Sequence, residues 1–167
     1  YVIKEWTDLA DSILLSFYSG LEGGNALADV LSGDVNPGGK LPFTIAYNDT
    51  DYPSFLHIAD KEREIDYGYY HGYTLFDKKG VEPQYPFGYG LSYTDFEISD
   101  CLVDKKENVL EVTATVKNIG DADGDEVIQV YVSSENKEED RPVKLLKGFK
   151  RVTVKTGETA VAEISVE

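Results

Sequence analysis

The chain has 167 residues, is 41% hydrophobic and carries a formal net charge of −15, from 31 acidic and 16 basic residues. That length and apolar content allow a packed core in one ordinary domain or two small ones. The acidic balance excludes a nucleic-acid footprint or an anionic membrane partner, both of which need clustered Lys and Arg. With one cysteine, Cys101, no internal disulfide can form, and no Cys/His set has zinc spacing.

No apolar run approaches the roughly 18 residues of a membrane span. The opening "YVIKEWTDLADS" lacks both a starting Met and the basic-then-apolar pattern of a signal peptide. The expectation is a segment of a longer polypeptide, placed in the cytoplasm by its single Cys and the lack of a visible signal.

Residues 1–47 read as alternating α/β. Trp6–Ala10 fits a short acidic helix. "SILLSFYS" (12–19) is a nearly continuous apolar run, the pattern of a strand buried on both faces in a parallel sheet. In "GLEGGNALADVLSG", Ala26, Leu27, Val30 and Leu31 have helical spacing and Gly33 sits where a helix stops. "VNPGGK" is a turn and "KLPFTI" a second apolar strand. Strand, helix, strand is one βαβ crossover, and 47 residues cannot supply the neighbouring strands it needs.

Residues 48–92 hold Tyr52, Tyr67, Tyr69, Tyr70, Tyr73, Tyr85 and Tyr89 with little periodicity. Flexible Gly/Ser linkers carry no such aromatic load, so this is a structured connection. It ends in "YPFGYGLSYTDF" (85–96), where Pro86, Gly88 and Gly90 oppose both helix and regular strand.

Residues 93–167 alternate apolar and polar in "FEISDCLVD", "NVLEVTATVKN", "DEVIQVYVSS", "VKLLKGFKRVTV" and "TAVAEISVE". Along the second run, Leu110, Val112, Ala114 and Val116 share one face. Strands at this spacing predict an antiparallel sandwich, but such a sandwich normally has about seven strands and five fit here. The fold class expected is an α+β composite: a partial βαβ segment followed by an incomplete immunoglobulin-like β-sandwich.

Four blocks in order, "GLEGGNALADVLSGDVNPGGKLPFTI", "YPFGYGLSYTDFEI", "VTATVKNIGDADGDEVIQVYV" and "RPVKLLKGFKRVTVKTGET", resemble the C-terminal region of family 3 glycoside hydrolases of the β-glucosidase type. The resemblance covers nearly the whole chain. It implies that residues 1–47 end an α/β sandwich domain, that 48–92 connect, and that 93–167 form most of a fibronectin type III-like module. It implies a retaining mechanism, with two carboxyl groups about 5 Å apart: an Asp of a separate (β/α)8-type barrel and a Glu earlier in the α/β domain.

Neither catalytic motif is present, so no catalytic, substrate-binding or metal-ligating residue is assigned, and no cofactor. The implied partners are the remainder of the parent enzyme and, through it, a glycoside. The chain alone is expected to be inactive and to brace the catalytic domains. A carbohydrate-binding or dimerising sandwich module stays open, as do homo-oligomers and β-xylosidase or N-acetylglucosaminidase specificity. Family members read Glu-Gly then Gly-Tyr-Arg where this chain has "YGYYHGYT", so Tyr67 replaces the Glu and Thr74 the Arg.

Several residues invite sharper readings. Glu22 sits where a helix begins, as a cap or as an acid near a domain interface. Asp121, Asp123 and Asp125 have the first spacings of a calcium loop, but Glu126 replaces its Gly and Val132 its final Glu, which favours a polar turn. His57 and His71 lack partners for a triad or metal site. The "YGYYHGY" rings could stack on sugars or pack a domain junction. Asn48-Asp49-Thr50 is a formal glycosylation sequon.

Overall fold

A computed structural model describes residues 2–53, 68–135 and 140–167. In chain order these form α1 (Lys4–Thr7), α2 (Gly23–Ser32), a 3-10 turn at Asp49–Asp51, α3 (Gly72–Lys79) and five strands. The strands are β1 (Phe96–Lys106), β2 (Val109–Asn118), β3 (Gly124–Val132), β4 (Leu145–Val154) and β5 (Thr159–Val166). The chain divides into two compact units. One holds residues 1–13, 41–89 and 132–145; the other holds 14–40, 90–131 and 146–167.

The second unit is built on the sandwich. β1, β2 and β5 form an antiparallel three-stranded sheet, and β3 pairs with β4. Period-2 alternation puts Ala114 and Val116 of β2 inward, opposite Ala162 and Ala160 of β5. Ala114, Val116, Ile128, Val152, Val154, Ala162, Ile164 and Val166 are buried together as the core. The sheets meet closely at Gly148 of β4, where a Cβ would come within 2.6 Å of Ile164 Cγ2. β1 is different. Ile98 and Val103 pair with the inward residues Val116 and Val112, yet stay 52% and 65% exposed, since the two-stranded sheet does not cover them. The register of β1 breaks between Ser99 and Leu102, with Asp100 at φ 48°. This bulge twists an otherwise open edge.

The open end of the core is closed by Asn118, which is fully buried. Its Oδ1 accepts from Thr94 Oγ1 at 2.7 Å and Gly120 N at 3.1 Å. Its Nδ2 donates to Ala122 O at 2.8 Å and Val154 O at 2.9 Å. All four hydrogen-bonding positions of the amide are used. One side chain thereby joins the lead into β1, the end of β2, the β2–β3 turn and the end of β4.

In the first unit the aromatic stretch pairs with "LPFTI". Ile45 and Tyr85 exchange backbone hydrogen bonds (2.8 and 3.1 Å), and Leu41 binds Tyr89 O (2.7 Å) and Gly88 N (2.8 Å). A Pro86–Tyr89 turn with Gly88 at φ 81° lets the chain make these bonds.

Helix α2 forms as its spacing predicts and stops at Gly33, at φ 85°. The helix expected at Trp6–Ala10 instead occupies Lys4–Thr7. The strands expected on either side of α2 do not pair as such. Residues 12–19 lie in no ladder, and "KLPFTI" makes only the Ile45 bridge and the Leu41 bonds. A parallel strand is held by its neighbours' backbone groups, and among the described residues none runs alongside 12–19. Helix α3 arises in the connection where periodicity is weak, and Gly80 at φ 62° ends it.

Candidate functional site

The notable surface of the second unit is apolar and uncovered. Leu14, Leu15, Phe17, Tyr18, Leu21 and Leu31 are all exposed, Tyr18 and Leu21 completely. Leu27, Val30 and Leu31 follow helical spacing along α2, but the helix has no buried residue. A short amphipathic helix owes most of its stability to the packing of its apolar face. Here that face is left largely uncovered, with Leu31 69% exposed and no residue of the helix buried. Burying such side chains yields about 1.5–3 kcal/mol each, so this run of sequence is built to be covered.

The loop after α2 is firmly tied down. Lys40 Nζ donates to Gly90 O (2.9 Å) and pairs with Glu126 Oε1 (2.9 Å), with both side chains largely buried. Asn36 exchanges side-chain hydrogen bonds with Ser92 (2.8 and 3.0 Å) and accepts from Tyr93 N (3.2 Å). Tyr93 Oη donates to Val30 O (2.8 Å). Glycines make the close approaches possible: a Cβ on Gly90 would lie 2.2 Å from Gly39 O, and one on Gly124 would lie 1.9 Å from Asn36 Nδ2. The "VNPGGK", "GLSYT" and "GDE" segments therefore hold one another, and α2 is carried on that anchor.

The first unit carries a polar cluster beside α3, to which the helix contributes Lys78. Lys78 Nζ (2.8 Å) and Tyr70 Oη (2.7 Å) both donate to Asp140 Oδ1, and the Lys78 ammonium lies 3.7 Å from the Tyr70 ring centroid. Tyr69 meets Tyr70 edge-on at 4.9 Å. Hydrogen bonds from Lys78 and Tyr70 hold the Asp140 carboxyl below its ordinary pKa. Desolvation and the bond to Asp140 push Tyr70 up, and the same carboxylate raises Lys78.

The residues with sharper sequence readings separate. Glu22 occupies the N-cap position of α2 by its backbone, but its carboxylate accepts from the Asn25 side chain (2.6 Å) and makes no cap bond. Asp123 accepts from Thr156 N (2.8 Å), while Asp125 pairs with Arg151 (Nε 2.7 Å). These carboxylates bind partners in the β2–β3 and β4–β5 regions, and no group of three potential metal ligands occurs among the described residues. His71 precedes α3, where Thr74 Oγ1 bonds its backbone N and O. Asn48 leads the 3-10 turn and bonds Asp51. His57 and Tyr67 lie outside the described residues. Among the described residues, no helix is long and apolar enough to cross a membrane.

Sequence reasoning missed Asn118 and the Lys40–Glu126 pair. A lone Asn ending an alternating strand is a weak signal, and a pair 86 residues apart leaves none.

The sequence pattern of the glycosyl hydrolase family 3 C-terminal domain matches residues 1–93, and that of a fibronectin type III-like domain matches residues 126–167. The chain is 40% identical over 168 residues to thermostable beta-glucosidase B of Acetivibrio thermocellus, covering 97% of this chain and 22% of that protein. It is 42% identical over 168 residues to an exo-alpha-(1->6)-L-arabinopyranosidase of Bifidobacterium longum, covering 99% of this chain and 22% of that protein. The solved structure of beta-glucosidase 3B from Thermotoga neapolitana with glucose matches at a TM-score of 0.91 and 38% identity, over 99% of this chain and 24% of that one. The chain thus spans about a fifth of the length of the curated relatives it matches.

Proposed function

The chain belongs to glycosyl hydrolase family 3, and we propose that it is the non-catalytic C-terminal portion of a retaining β-glycosidase, most simply a β-glucosidase. In this reading residues 14–35 dock on the earlier part of the parent's α/β domain, and the sandwich braces that assembly. The supporting observation is the uncovered apolar run from Leu14 to Val35 in a chain whose relatives continue well beyond it.

The domain limits we propose are 1–47, 48–92 and 93–167. The rings of Tyr85, Phe87 and Tyr89 pack within the first unit, Tyr85 against Tyr89 at 5.1 Å and Phe87 against Tyr73 at 4.8 Å. Overall identity does not choose a sugar, being about equal to relatives named for a glucosidase and for an arabinopyranosidase.

The test is hydrolysis of an aryl β-glucoside. The full-length protein should turn it over and the 167-residue chain should not. Turnover by the purified chain would overturn the non-catalytic assignment, and an inert full-length protein would overturn the glycosidase.

A further inference from the structure

We propose that Tyr69, Tyr70, Lys78 and Asp140 form a surface platform that binds a neutral oligosaccharide or polysaccharide, separate from any catalytic centre.

The argument starts with Tyr69. It is 67% exposed, a large apolar surface left in water beside other aromatic rings. Its ring is not loose. It packs at 85° against Tyr70, in the edge-to-face geometry that aromatic pairs favour. Tyr70 is fixed in turn on two sides, its hydroxyl donating to Asp140 and its face covered by the Lys78 ammonium. Lys78 stands on α3, so the stack is tied to a helix rather than to a loop. The result is a pre-set ring with Tyr70 packed against it, which lowers the ordering cost of binding.

The polar groups fit the same ligand. Asp140 receives Lys78 and Tyr70 on Oδ1, and its side chain remains 76% exposed, so Oδ2 can accept from a hydroxyl. Lys78 is 46% exposed and has further N–H groups to give. A flat apolar ring beside an acceptor and a donor matches a pyranose, which has a C–H face and a rim of hydroxyls. The net charge of −15 favours a neutral glycan over an acidic one. The uncovered apolar face at 14–35 is of a different kind: its exposed side chains are mainly aliphatic, the surface of a domain contact.

The choice of a glycan rests on the glycosidase reading, and the test keeps the two apart. The full-length protein is run in native gels containing hydroxyethylcellulose, with oligogalacturonate-containing gels as the charged control. Retardation by the neutral polymer alone is expected. Tyr69→Ala should lose most of it, about tenfold in apparent Kd, Tyr69→Phe should keep it, and Lys78→Met should weaken it. Activity on an aryl β-glucoside and the melting temperature should be unchanged in Tyr69→Ala.

Retardation that survives Tyr69→Ala, or none in the wild type, overturns the platform. A Tyr69→Ala protein with lowered melting temperature shows the ring to be packing within the parent, which also overturns it. Loss of hydrolysis with binding intact would sink only the glycosidase reading.

Discussion

At the scale of single residues, Asn118 has the greatest consequence. Fully buried amides are costly unless satisfied, and here all four hydrogen bonds are made within the protein. Asn118→Ala would strand the Val154 and Ala122 carbonyls, the Gly120 N–H and the Thr94 hydroxyl. Each orphaned group costs about 1–3 kcal/mol, so thermal unfolding of the sandwich should begin several degrees lower. Asn118→Asp should be worse despite its matching shape, because a carboxylate would face two carbonyl oxygens in place of an NH2. Near-equal melting of the two variants would argue that water fills the site. Lys40 poses the complementary case. Lys40→Ala leaves Glu126 largely buried and unpaired, whereas the double change Lys40→Met with Glu126→Leu removes both charges. Broken buried pairs cost about 3–5 kcal/mol, and apolar replacements of both partners are often neutral. The single variant should therefore melt clearly below the double one in differential scanning calorimetry.

At the scale of elements, the strands were legible because a half-buried sheet imposes a period of two, and all five alternating runs became strands. Helix α3 was not legible, since Tyr73 and Thr74 are poor helix formers; its signals were local, Lys78 and Lys79 before Gly80. The run 12–19 read as a strand because it is apolar, but apolarity reports burial and pairing requires a neighbour. No candidate site was assigned from sequence, and the α3 cluster explains why: Asp140 lies 62 residues from Lys78 and 70 from Tyr70. The β1–β2 hairpin gives one prediction at this scale. Its two-residue loop starts with Glu107 at φ 52°, which glycine adopts without strain. Glu107→Gly should raise stability by about 1 kcal/mol, seen as a higher midpoint in thermal unfolding; a lowered midpoint would mean that the side chain has a role. The α3 cluster gives a pH dependence. Among the described residues the charged and titratable groups near it include Tyr70, Lys78, Asp140, the neighbouring Arg141 and the Asp77–Lys144 pair that shares α3. Asp140 is depressed in the fold, so its contribution is complete above the ordinary carboxylate value near 4 and is lost as pH falls through the lower folded value. Between about pH 5 and pH 3 the melting temperature of Asp140→Asn should fall less than that of the wild type.

At the scale of the whole molecule, the two kinds of exposed surface make opposite demands on any longer protein. Leu31 is 69% exposed and lies one turn after Leu27 on α2, a helix with no buried residue. If residues 14–35 dock on an earlier part of an α/β domain, Leu31 is a core residue in the parent and a solvent-facing one in the 167-residue chain. The same substitution then acts with opposite sign. Leu31→Lys in the full-length protein must bury an ammonium with no partner, which costs several kcal/mol, and should lower both the melting temperature and the soluble yield. In the 167-residue chain, Leu31→Lys replaces exposed apolar surface with charge and should reduce self-association, read as a smaller hydrodynamic radius in light scattering. Tyr69→Ala should show no such reversal, because a sugar platform faces water in both contexts. A Leu31→Lys parent that melts like the wild type would remove the docking role of α2 and leave the sandwich alone to account for how this segment is held.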